Sequence, residues 1–208
     1  MARETGPVCR MCRREGAKLF LKGTRCDTPK CAFERRESPP GMNTFRRGKQ
    51  TDYAIHLREK QKVKRHYGVL ERQFRKYFKR AEAVKGNTGE VLMSLLERRL
   101  DNVVCRFGFG QSRAQARMIV SHGHVLVNGR RVNVPSFMTR PGDVIQIKDR
   151  PKSVQLAQAN VEETGREVPE FLSRSDGSPP TGQVLRLPES ADVSIPVQTQ
   201  LIVELCSK

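Results

Sequence analysis

Four cysteines near the N-terminus are the residues best equipped for chemistry of their own. Cys9 and Cys12 form a C-x-x-C pair, and Cys26 and Cys31 form a C-x-x-x-x-C pair that begins after 13 intervening residues. Two such pairs can close a tetrahedral thiolate site around one metal ion. Gly23, Asp27 and Pro29 supply turn residues around the second pair, and the flanking Lys and Arg favour the thiolate forms. Four thiolates leave no open coordination position, so the expected metal is structural. Zinc is the first choice, and an iron–sulfur cluster uses the same donors. Ordinary buried cysteines or two disulfides compete with this reading, but the spacing favours a metal, the N-terminal MARETGPVCR lacks the apolar stretch of a signal peptide, and a reducing cytosol is expected. Cys105 and Cys206 sit in apolar sequence and read as core packing.

The second chemistry is electrostatic. Of 208 residues, 39 are Lys or Arg and 22 are Asp or Glu, a net charge of +17. The excess is uneven: residues 151–208 hold 5 basic and 8 acidic residues, so residues 1–150 carry +20. Charge of that density calls for a polyanion, and the first 150 residues should bind it. No apolar run approaches the roughly 20 residues of a membrane span. Candidate contacts start in the extended basic linker Ser38–Gln50, at Arg46, Arg47 and Lys49. They continue through Leu57–Arg80, where Arg58, Lys60, Lys62, Lys64, Arg65, Arg72, Arg75 and Lys76 interleave with His66, Tyr67, Phe74, Tyr77 and Phe78. The phenylalanines and Tyr77 fit a core; His66 reads as solvated or beside phosphate.

The elements that must position these groups follow from periodicity and caps. Thr51 or Asp52 can cap a helix that runs to about Tyr67 and stops at Gly68. It is polar on most faces and should lie between other bodies. A helix over about Val69–Val84 places Leu70, Phe74, Tyr77, Phe78 and Ala81 on one face. Thr88 can cap a third, about Gly89–Phe107, with Gly108 as its stop. Ser112 with Gln115 three residues on is a capping-box pattern that opens a fourth, ending near His122-Gly123. Asn128-Gly129 between HVLV and RRVNV is a strong hairpin signal. Pro141-Gly142-Asp143 turns into the strand VIQI, residues 152–164 suit a helix ending at Gly165, and GQVLRL and LIVEL read as late strands. Arg113 and Arg117, four apart, should project from the polar side of the fourth helix beside Gln115. His122, Asn128, Arg130 and Arg131 would join them in one basic surface, where Arg forks suit phosphate.

Residues 98–147, RRLDNVVCRFGFGQSRAQARMIVSHGHVLVNGRRVNVPSFMTRPGDVIQI, together with LREKQKVKRHYGVLERQFR and the cysteine arm, resemble the bacterial S-four family of small-subunit ribosomal proteins over nearly the whole chain. The arm resembles that family's four-cysteine, metal-binding version. The resemblance implies an α+β fold: a metal-stapled N-terminal arm and helical lobe, then a helix–helix–β-hairpin RNA-binding module with a small antiparallel sheet. The implied segments are an arm and linker over 1–45, a basic helical lobe over 46–90, the RNA-binding module over 91–150 and a neutral to acidic segment over 151–208. It further implies a non-enzymatic, cytoplasmic, ribosome-bound protein. Such a protein binds small-subunit rRNA early in assembly of the 5′ domain. It lies beside ribosomal protein S-five where mRNA enters the subunit, and it contributes to translational accuracy.

Two other classes stay in view. An RNA-modifying enzyme can carry the same helix–hairpin module, but it needs a separate catalytic domain, and only 58 residues follow position 150. No His is followed two positions later by Glu, as a zinc deaminase requires, and neither a phosphate-binding GxxxxGK[ST] loop nor a GxSxG elbow occurs. A zinc-containing nucleic-acid-binding regulator is the third reading. It would prefer duplex DNA to folded rRNA at matched salt.

Overall fold

The structure, a computed structural model, describes residues 4–36, 38–42, 49–175 and 177–207. The arm holds a short helix, α1 (Cys9–Glu15), a 3-10 turn over Gly23–Asp27 and a one-turn helix, α2 (Ala32–Arg35). Met11, Cys12 and Leu19 form its small core, with Val8, Leu21 and Phe33 packed against it. Helix α3 (Asp52–His66) begins where expected, its Thr51 side chain accepting from the Ala54 amide at 3.3 Å. Gly68, at φ +61°, ends that stretch. In α4 (Glu71–Glu82) the buried residues are Phe74, Tyr77, Phe78 and Ala81, as the apolar spacing requires; Leu70 is exposed.

The expected third helix is two. Helix α5 (Thr88–Glu97) ends before Arg98, Arg99 takes an extended conformation at φ −66°, ψ 136°, and α6 (Leu100–Arg106) follows. Arg99 bridges Met138, and the Leu100 and Asp101 amides donate to the carbonyls of Phe137 and Pro135, at 2.9 and 3.1 Å. Continuous apolar periodicity hid this break, because partners 37 and 34 residues away cause it. The cap of α5 is Asn87 rather than Thr88, with Asn87 Oδ1 accepting from the Gly89 amide at 3.0 Å. Helix α7 (Arg113–Ser121) is capped by Ser112, while the Gln115 side chain accepts from Gln111, one residue before the cap, at 2.7 Å.

Five strands form one antiparallel sheet in the order β2-β1-β3-β5-β4: β1 (Val125–Val127), β2 (Arg130–Arg131), β3 (Val144–Ile147), β4 (Leu172–Ser175) and β5 (Thr181–Val184). Val127 pairs with Arg130 across Asn128-Gly129, whose φ values of +51° and +76° are those of a type I′ turn. The Asn128 side chain also ties the turn to the next strand, donating to Asp143 and accepting from the Val144 amide, both at 2.9 Å. Helix α8 (Pro151–Thr164) ends at Gly165, and α6, α7, α8 and the inner sheet face share one core around Phe107, Phe109, Val125, Ile145 and Phe171. Gly182 in β5 makes room for that core: a Cβ there would lie 2.3 Å from the Phe107 ring.

LIVEL is not a strand. It lies in α9 (Thr199–Cys206), which packs on α3 with Ile202 fully buried, and Glu204 Oε2 lies 3.4 Å from His56 Nε2. A short apolar run has no periodicity to separate helix from strand, and the partner decides. Cys105 is buried as expected, whereas Cys206 is half-buried. Two units result. One comprises residues 1–92 and 195–208, and the other residues 93–194, so the last segment is shared between them rather than forming a body of its own.

Candidate nucleic-acid interface

In the first unit, α3 is polar because three buried or half-buried acids claim much of its charge. Lys60 and Lys64 donate to Glu71 at 2.8 and 3.2 Å, and Arg75 adds a third bond to it at 3.2 Å. Burial alone would raise the Glu71 pKa, but those three donors overcome it and hold the carboxyl at about 2. Lys62 pairs with Glu59 at 2.6 Å and donates to the Pro196 carbonyl at 3.1 Å. Arg58 and Arg65 both bind Glu15 of the arm. Burial raises the Glu15 pKa, and the two arginines oppose that shift. The expectation for His66 is corrected: the residue is 1 % exposed, with Nδ1 3.2 Å from the Leu19 carbonyl, so it packs the arm onto α3 instead of facing solvent. Lys49, Arg72, Arg75 and Lys76 are exposed, the last three on the outer side of α4. Arg46 and Arg47 lie outside the described residues.

In the second unit, Arg113 and Arg117 do share a face of α7, but that face is turned inward. Arg117 Nη1 donates to Asp101 Oδ2 at 3.0 Å, and the same carboxylate takes two bonds from Arg99, whose side chain is 1 % exposed. Arg113 donates to Asn102 Oδ1 at 2.7 Å and to Ser194 at 3.2 Å. Asn102 in turn donates to buried Glu97, which a two-bond fork from Arg106 also engages at 3.1 and 3.0 Å. Gln115 is likewise held, donating to Asn160 at 3.4 Å. Four-residue spacing puts two side chains on one face, but says nothing of whether an acid waits there.

The hairpin end differs. His122, Asn128, Arg130 and Arg131 are all exposed. Arg131 packs against Gly123, at φ +74°, where a Cβ would come within 2.1 Å of its Nε. The His124 pKa is lowered by burial first, then by His122, Arg150, Arg131 and Lys148, so five basic groups crowd one region. Lys148 and Arg150 were not singled out from the sequence. The register Val125↔Ile147 carries the chain after β3 back beside His124, where the Lys148 amide donates to the His124 carbonyl at 2.8 Å. Pairing HVLV against VIQI by alternation would have found them.

The four cysteines are drawn together, with Cys12, Cys26 and Cys31 buried and all four acting on the Cys12 thiol or being it. Burial raises the Cys12 and Cys26 pKa values, while amides of Leu19 and Lys22 point at their sulfurs and oppose this, the Lys22 amide at 3.3 Å from Cys26 Sγ. The donor set and its amide donors suit a thiolate-bound metal. As placed, no three Cys, His, Asp or Glu side chains among the described residues converge closely enough to hold an ion. Among the described residues no helix is long and apolar enough to cross a membrane.

Exposed cations on a helix–hairpin–sheet unit and on a second, helical unit define a nucleic-acid-binding class of protein. Comparison with known proteins makes this specific. A family described as ribosomal protein S4/S9 N-terminal domain matches residues 3–97, and the S4 domain matches residues 98–145. The small ribosomal subunit proteins uS4 of Thermoanaerobacter sp. and Thermus thermophilus are each 52 % identical to this chain, over 208 and 210 aligned residues, with both chains covered in full. The uS4A protein of Symbiobacterium thermophilum is 53 % identical over 208 residues, again end to end. The chain belongs to the uS4 family of small ribosomal subunit proteins, a family of structural proteins and not of enzymes.

Proposed function

We propose that this chain is a structural component of the small ribosomal subunit, working in the cytoplasm as part of the ribosome and binding small-subunit rRNA directly. The observation that carries this reading is the cationic hairpin end of the second unit, where His122, Arg130, Arg131 and Arg150 are exposed and the Lys148 amide donates to the His124 carbonyl. Exposed arginines there and on α4 offer phosphate contacts to two parts of a folded RNA. Early binding to the 5′ domain, adjacency to ribosomal protein S-five and to mRNA where it enters the subunit, and a role in accuracy belong to the same proposal. They are supported by the family resemblance alone.

Filter binding of the full chain to isolated small-subunit rRNA across a salt series tests this. Each neutralised phosphate contributes about 0.7–0.9 to the negative log–log slope, so six contacts give about −4 or steeper. A flat salt response contradicts the reading, and tighter binding to duplex DNA at matched salt favours a regulator instead.

Within this function, Cys9, Cys12, Cys26 and Cys31 bind a structural zinc ion, with an iron–sulfur cluster as the alternative. The buried thiols and the amides aimed at Cys12 and Cys26 support it. Elemental analysis of protein purified without oxygen should find one equivalent of zinc, or iron with sulfide, and Cys26→Ser should lose it. Neither metal in the wild-type protein contradicts the site.

A further inference from the structure

Glu15 sits at the end of α1 with its side chain fully buried. A buried carboxylate is costly unless donors satisfy it. Here its hydrogen bonds go to two arginines of α3: Arg58 Nη1 at 3.3 Å and Arg65 Nη1, both on the same oxygen, Oε1. The other oxygen, Oε2, is buried and has no hydrogen-bond partner among the described residues. Both bonds thus bring two guanidinium groups onto one carboxylate oxygen.

Arg58 and Arg65 are seven residues apart, which is two turns of helix and nearly the same azimuth. Without a counter-charge, two guanidiniums sharing one acceptor would repel. With Glu15 beneath them the trio keeps a charge of +1. Neither arginine is sealed in: their side chains are 34 % and 21 % exposed, while Glu15 is 0 % exposed. Each guanidinium spends one nitrogen on the carboxylate and has five N–H groups in all, so donors remain for a ligand outside. Lys62, on the turn between them, is engaged by Glu59 and the Pro196 carbonyl.

We propose that Glu15 is a positioning residue that holds Arg58 and Arg65 as a two-armed clamp for a backbone phosphate of the bound RNA. The inference rests on the rRNA-binding reading and goes beyond it, because it gives an acidic residue of the cysteine arm a part in RNA affinity. It also links the two: whatever folds the arm aligns the clamp.

The test is filter binding of the full chain to isolated small-subunit rRNA at fixed salt, with circular dichroism of each variant. Glu15→Gln should weaken binding about tenfold, because a charge-assisted brace becomes a neutral one. Arg58→Ala with Arg65→Ala should weaken it more, and adding Glu15→Gln to that pair should change nothing further, since the brace then has nothing to hold. Should Glu15→Gln unfold the arm, Arg58→Lys with Arg65→Lys decides instead. That pair keeps the charge but not the fork, so affinity should fall about tenfold with the salt slope retained. Equal or tighter binding by folded Glu15→Gln, additive losses in the triple variant, or undiminished affinity of the lysine pair would each overturn the clamp. If wild-type protein itself binds rRNA without salt dependence, the underlying reading fails; if it binds normally and only these variants are neutral, the clamp alone fails.

Discussion

The inner face of α7 and the hairpin end a few residues later carry the same kind of side chain in opposite roles. Arg117 is 14 % exposed and bonded to Asp101, an acid that also neutralises the nearly inaccessible Arg99. Arg130 and Arg131 are exposed, and their neighbours His122, Lys148 and Arg150 are basic too. Within the second unit, the arginines that face a buried carboxylate hold the α6–α7 pair together, whereas those at the hairpin end face more positive charge, which a polyanion would offset. The first unit repeats the contrast in α3, whose Lys60 and Lys64 are claimed by Glu71, and α4, whose Arg72 and Lys76 are exposed. A net charge of +17 thus overstates the binding surface, because part of it is internal.

Removing the acid at the centre of the inner network should have the largest effect. Asp101→Ala removes the carboxylate that both buried Arg99 and Arg117 engage, and breaking a buried charge pair typically costs about 3–5 kcal/mol. Urea unfolding should show the second unit destabilised by that order, and a variant as stable as wild type would break the contrast drawn here. Arg117→Ala comes next: it removes the charged hydrogen bond to Asp101 while Arg99 still engages that carboxylate, so the loss should be about 1.5–3 kcal/mol, read by the same unfolding curves.

The smallest effect concerns Glu71. Its folded pKa of about 2 lies below its ordinary value of 4.5, so its contribution is present above about pH 4.5 and is lost as pH falls towards 2. The group is 36 % exposed, and solvent screening keeps the contribution small. Glu71→Gln should flatten the acid limb of thermal stability slightly between pH 4.5 and 2 relative to wild type. An unchanged acid limb would mean that Lys60, Lys64 and Arg75 do not engage this carboxylate in solution.

Much of this was readable from the sequence, and the misses share a cause. Caps at Thr51 and Ser112, the stop at Gly68, the Asn128-Gly129 turn and the apolar face of α4 are local signals, and the structure bears them out. The break at Arg99, the helical LIVEL and the inward Arg117 depend on Pro135 and Phe137, on α3 and on Asp101, partners that local patterning cannot supply. His66 illustrates the same limit: a histidine in a basic run looks solvated until the Leu19 carbonyl is found against its ring. The pair Glu97 with Arg106 was open to a search for acids beside apolar residues in ERRLDNVVCR, where the two stand nine residues apart.

The account is tested most directly by measuring rRNA affinity across a salt series for Arg130→Ala with Arg131→Ala beside Arg117→Ala, each corrected for its folded fraction. Exposed surface substitutions usually shift stability by no more than about 0.5 kcal/mol, so the hairpin variant should melt like wild type. It should bind more weakly and lose about 0.7–0.9 from its salt slope for each phosphate released. Folded Arg117→Ala should keep the wild-type slope. A hairpin variant with wild-type affinity and slope, or an Arg117→Ala protein that stays fully stable yet loses slope, would contradict the assignment of Arg117 to the fold and of Arg130 and Arg131 to the RNA.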